Sequence, residues 1–169
     1  SVAHATYSIN QKLTAVHLEK LILLFDVFEG INGARDGFFN RSWSEILSRL
    51  TPEHIAELWL RHGITPASDT AWIKGFTGGS DDHAGLFIGK TYTEVEAETA
   101  DEVLEAIRLK RCRAGGRHND YRTLAFAIYK IALDFTAQQN PRKSPTRLIS
   151  EQLLGSASFS LAQELRFEA

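Results

Sequence analysis

The sequence has no methionine, a single cysteine and no surplus of charge, and each shortage narrows what the chain can be. With Cys112 alone an intrachain disulfide is excluded, and the lone thiol suits a reducing, cytoplasmic setting. Cys112 sits in a charged stretch with no base beside it and reads as structural. The 19 Lys and Arg stand against 21 Asp and Glu, a formal charge of −2. That balance argues against broad binding to nucleic acid or an anionic membrane. Basic residues gather between Arg108 and Arg122, where a solvated surface is the expected reading. No apolar run approaches the ~20 residues that span a bilayer, and no signal peptide is recognisable. The missing Met, together with a start at Ser1 straight into Val2-Ala3-His4-Ala5, gives the expectation of a piece cut from a longer protein.

What is present is ordinary globular material: 169 residues, 43% hydrophobic and 24% charged, enough for one domain or slightly more. Val2 to Ala5 reads as the end of a strand. Thr14 is an N-cap for a helix carrying Val16, Leu18, Leu21, Ile22 and Leu24, with His17 on its solvated side. Phe25 to Ile31 reads as a buried strand running into the Asn32-Gly33 turn. Glu29 and Asn32 either sit at the mouth of a site or tie down that turn. Ser42 to Glu45 has capping-box spacing for a helix with Ile46 and Leu50. Thr51-Pro52-Glu53 opens another, stopped at Gly63, with His54 and His62 expected on its surface. A strand ending at Gly78-Gly79 follows, then a β-prone run at Thr91 to Val95 and a capped helix from Thr99. This alternation indicates α/β with largely parallel strands.

Past Gly115-Gly116 the pattern changes. Leu124, Ile128, Ile131 and Phe135 form one stripe, while Phe126, Tyr129 and Leu133 load other faces, as in a helix buried on several sides. A linker at Asn140 to Pro145 and two short helical segments, around Leu148 to Leu154 and Leu161 to Phe167, complete the chain. Residues 1–116 are expected to be the α/β part and 117–169 a helical extension.

The stretch from Gly75 to Gly85 concentrates the chemistry. After two glycines come Asp81 and His83, two apart, so in extended backbone their side chains leave on one face. A carboxylate and an imidazole so placed can share a zinc, manganese or iron ion. His4, at the end of a short apolar strand, is a third candidate ligand. Arg117 and His118 follow a Gly-Gly turn where basic side chains can meet a substrate phosphate, and Lys90 and Lys74 flank the central stretch. Asp82 is expected to point away from its neighbours into a structural hydrogen bond.

Gly79-Ser80-Asp81-Asp82-His83-Ala84-Gly85, followed by Ile88-Gly89 and Thr91, resembles the last metal-binding motif of the PHP family, the polymerase and histidinol phosphatase phosphoesterases. Val2-Ala3-His4 is similar to the family's earlier Ala-His motif, and Phe28 to Gly33 to the strand between them. The resemblance spans about residues 2–111. It implies part of a distorted (β/α)7 barrel with a helical C-terminal appendage, and metal-dependent hydrolysis of a phosphate ester. It further implies His4, Asp81 and His83 as ligands and a phosphorylated small molecule as substrate. The family's N-terminal His-x-His pair, and the ligands between it and the Ala-His motif, have no counterpart here, and Ala5 stands where Pro is usual. The resemblance is thus to the C-terminal half of the domain. The rest of the site would come from the missing N-terminal portion or from a second copy, and self-association is expected. The chain alone is expected to be inactive. The competing expectation is a non-catalytic helical assembly module that keeps a relic loop. An amidohydrolase-like metal enzyme is a third possibility.

Overall fold

A computed structural model describes residues 1–8 and 10–139. The elements run α1 (Ala15–Leu24), β1 (Val27–Asn32), α2 (Gly37–Ser48), α3 (Pro52–His62), β2 (Gly75–Gly79), β3 (Thr91–Glu94), α4 (Ala100–Arg108), β4 (Arg113–Gly116) and α5 (Tyr121–Gln139). The first compact unit is Ser1–Leu124, and a second begins at Ala125, inside α5. The linker and the two short segments expected after Asn140 lie outside the described residues.

The core of the first unit forms where α1, α2 and α3 meet β1. Phe28 of β1, Leu23 of α1 and Leu47 of α2 are fully buried, with Trp43, Ile55 and Leu58 around them. Phe28 and Trp43 pack edge to face with ring centroids 5.9 Å apart, an arrangement that the aromatic quadrupole favours. Lys74 is buried beside this core, its ammonium donating to the carbonyls of Ile22 at 2.6 Å and Phe25 at 2.7 Å. It therefore anchors the C-terminal end of α1 and is no candidate for meeting a ligand.

Local chemistry sets most helix ends. Thr51 accepts from His54 N–H, Pro52 fills the first turn, and Gly63 closes α3 in the left-handed conformation at φ 63°. Of the three histidines expected at the surface, His17 and His54 are exposed, and only His62 needs correction. His17 and His54 each accept, on Nδ1, the backbone N–H of Thr14 and Thr51, taking the place that Glu or Gln holds in a capping box. The His62 side chain is only 8% exposed and lies 2.6 Å from Glu19 of α1. The helix expected from Ser42 starts earlier, at Gly37, because Asp36 accepts from Phe38 N–H at 2.7 Å.

β1 and β2 pair in parallel, and Val2 adds a parallel bridge to Phe28 on the other side of β1. β3 and β4 form an antiparallel pair, against the expectation of largely parallel strands. Thr93 of β3 joins the two pairs: its hydroxyl donates to the Gly78 carbonyl and accepts from the Gly78 N–H, each at 3.0 Å. Ile73, just ahead of β2, lies in a turn and is exposed. None of the described residues of α5 is buried within this chain.

Candidate functional site

Three parallel segments bring their C-terminal ends together: Val2 leading to His4, β1 ending at Asn32, and β2 ending at Gly79 ahead of Ser80 to His83. In α/β sheets this is the end at which ligands bind. The register slips between Glu29, opposite Thr77, and Ile31, opposite Gly78, so that Gly30 is an extra residue in β1. In an unbroken strand, residues three apart point to opposite faces. The bulge shifts that parity, and Asn32 Nδ2 donates to Glu29 Oε2 at 2.9 Å.

The same amide donates to Asp81 Oδ2 at 3.1 Å, while its Oδ1 accepts from Ala34 N–H at 2.9 Å. Asn32 thus does both things left open for it: it ties the turn and holds two carboxylates. Glu29 also accepts from the His4 N–H at 2.7 Å. Its other oxygen lies over Gly79, where a Cβ would come within 2.7 Å of it.

Asp81 is not extended as expected; its φ is +46°, the left-handed region, which Asp tolerates better than most residues. The turning of the loop, and not strand alternation, brings His83 Nε2 to 3.4 Å from Asp81 Oδ1. Two ligand atoms on one tetrahedral ion, each about 2.1 Å from it, stand about 3.4 Å apart. The pair therefore fits a shared divalent ion, with the His83 ring 82% exposed and open to further ligands. Asp82 faces away, as expected. It accepts from Ala84 N–H at 2.9 Å and Phe87 N–H at 2.5 Å. Desolvation pushes its carboxyl up, and the backbone donors of the loop together outweigh it and hold the group below the usual range.

The His4 ring packs edge-on against Tyr7, centroids 5.9 Å apart. Among the described residues no three His, Cys, Asp or Glu side chains converge as a metal-holding group. Asp81, His83, Glu29 and Asn32 are gathered in one place, while the His4 side chain rests on Tyr7 and only its backbone reaches Glu29. Lys90, Arg117 and His118 line one cleft with Ser80 and Thr123. A buried residue that sequence reading missed, Asn40 of α2, lies behind it, with Nδ2 2.9 Å from His118 Nδ1. Burial, then the nearby Arg41 charge, pushes the His118 imidazole down from its ordinary value. At Cys112 burial raises the thiol, in line with a structural role.

A family model described as PHP-associated matches residues 70–112, which run from the turn before β2 through the Asp81–His83 loop, β3 and α4 to Cys112. No curated protein and no solved structure matches the chain. The match covers the loop that carries Asp81 and His83 and is consistent with a C-terminal region of the PHP family.

Proposed function

We propose that the chain is part of a metal-dependent phosphoesterase of PHP type, a portion of a distorted (β/α)7 barrel whose metal site is completed from outside this chain. The observation that carries the reading is the Asp81–His83 pair, 3.4 Å apart at the C-terminal ends of parallel strands and inside the PHP-associated segment. Asp81 Oδ1 and His83 Nε2 would hold a zinc, manganese or iron ion, with His4 at the end of the neighbouring strand as a further ligand. Such an ion supplies positive charge against the phosphoryl oxygens of a phosphorylated small molecule and makes water more acidic. Asn32 does its part by occupying Asp81 Oδ2, which leaves Oδ1 to face the ion. Asp82 pins the loop through Ala84 and Phe87, so that His83 keeps its place. The remaining ligands would come from the rest of a PHP domain or from a second copy, in a cytoplasmic setting. Elemental analysis of the purified chain beside the double variant Asp81→Ala, His83→Ala tests this. About one transition metal per chain, lost in the variant, is the expected result; no metal in either overturns it.

A second reading, a non-catalytic assembly module, has its own support. Leu124, Ile128, Ile131 and Phe135 stand one helical turn or two apart on α5, and all are exposed. Light scattering and the metal analysis on the same samples separate the two: a metal-free oligomer favours the module, a metal-loaded chain the hydrolase.

A further inference from the structure

We infer that the cleft lined by Ser80, Lys90, Arg117, His118 and Thr123 is a phosphate-binding site in its own right, in which Asn40 sets the hydrogen-bonding state of His118. The inference goes beyond the hydrolase reading, because none of His4, Glu29, Asp81 or His83 lines this cleft and binding there needs no metal.

The cleft holds about 60 Å³, several times the ~10–15 Å³ that one water requires. Its wall carries two permanent cations against one carboxylate, Asp120. Among the described residues neither Lys90 nor Arg117 lies within ion-pair distance of an acid. Asp120 is occupied, accepting from Thr123 N–H at 2.8 Å and the Thr123 hydroxyl at 2.9 Å. The Lys90 ammonium rests 4.6 Å over the Phe87 ring, a contact that does not neutralise it, so among the described residues the wall keeps a surplus of positive charge.

His118 adds a donor whose tautomer Asn40 sets. Asn40 Oδ1 accepts from Asn32 N–H at 3.2 Å and Asn40 Nδ2 donates to the Asn32 carbonyl at 2.9 Å, which fixes which end of the amide is which. Its Nδ2 then faces His118 Nδ1 as a donor. Nδ1 must accept, so a neutral ring carries its proton on Nε2. A guanidinium and an imidazole N–H from the neighbours Arg117 and His118 are joined by the Lys90 ammonium and the Ser80 hydroxyl, from two other places in the chain. Such a spread of donors suits the three terminal oxygens of a phosphate better than a planar carboxylate.

The test is NMR titration of the full chain, freed of metal by chelation, with inorganic phosphate and separately with glycerol phosphate. We expect saturable, salt-sensitive shifts of the Lys90 and Arg117 amides and the His118 ring with at least one of the two. Before ligand is added, Nδ1 should read as unprotonated and Nε2 as protonated. Lys90→Ala and Arg117→Ala, both at exposed positions, should each weaken binding about tenfold or more. Tighter binding of glycerol phosphate would make the ligand a phosphorylated molecule, and equal binding would make it free phosphate; both support the site. No saturable shift at millimolar ligand, or unchanged affinity in both variants, would overturn it, as would an Nδ1-protonated ring for the part given to Asn40. The metal content of the same samples before chelation reports on the hydrolase reading separately.

Discussion

Asn32 and Asp81 stand 49 positions apart in the chain, and the buried amide of the first donates to the carboxylate of the second at 3.1 Å. Because the same amide holds Glu29, removing it leaves two carboxylates without their shared donor. Asn32→Leu should weaken metal uptake by about 10–100-fold, as expected for a group that orients a ligand without touching the ion. It should also lower stability by about 1–3 kcal/mol through the unpaired polar groups it strands. Competition with a chelator measures the first and urea denaturation the second. Unchanged metal affinity would remove Asn32 from the site.

Gly78 sits where β2 passes closest to β3. A Cβ there would lie 2.2 Å from the Tyr92 carbonyl oxygen, a backbone atom with no rotamer to yield. Gly78→Ala should therefore cost about 3 kcal/mol or more, with the strands forced apart. Gly63 is the control: it too is a glycine, at φ +63°, but nothing lies within 4 Å of its Cβ position. Gly63→Ala should cost only the left-handed penalty of about 1–2 kcal/mol. Equal losses in denaturant melts would contradict the close approach of β2 and β3.

These two sites also divide what was legible in the sequence from what was not. Thr51, Pro52 and Gly63 bound α3 as read, since a cap and a left-handed stop are local events. Ser42 and Glu45 match a capping box equally well, yet they lie inside α2, where the Ser44 hydroxyl donates to the Gly30 carbonyl at 3.1 Å. A local pattern cannot register a partner on another element. β4 went unread because Arg113 to Gly116 has no strand pattern of its own and is defined by pairing with β3. The site followed the same rule. Asp81, His83, Glu29 and Asn32 were named from short motifs, whereas Asn40, between Phe39 and Arg41 on a helix, acquires its role only through the fold. The Gly30 bulge, which turns Glu29 toward Asn32, is likewise a property of the pairing.

Lys74 gives the chain a pH signature. Burial pushes its ammonium down to about 8, and the Asp26 charge only partly offsets this. In the unfolded chain a lysine titrates near 10.4, so between about 8 and 10.4 the unfolded state binds more protons than the folded one. Across that window this group's contribution to stability should rise with pH, and below it the burial penalty is fully present. Urea denaturation of the wild type and Lys74→Met at several pH values isolates the effect. The difference between them should move in favour of the wild type as pH increases. A constant difference would mean that Lys74 titrates like an exposed lysine.

Glu19 clamps α1 to α3 with two partners of unequal worth. Its Oε2 meets His62 Nε2 at 2.6 Å, where the imidazole side chain is only 8% exposed, and its Oε1 meets Arg61 at 2.7 Å, where the guanidinium is 55% exposed. The buried contact should dominate, because an exposed ion pair is screened by solvent and the Arg61 side chain loses rotamer freedom in forming it. Arg61→Ala should therefore change stability by at most about 1 kcal/mol. Glu19→Ala should cost about 1–3 kcal/mol, since it leaves a buried ring nitrogen without its partner. Glu19→Gln, which can still hydrogen-bond the imidazole, should fall between them. If Arg61→Ala proved as damaging as Glu19→Ala, the helices would be held by the surface pair, and the buried histidine would be a bystander.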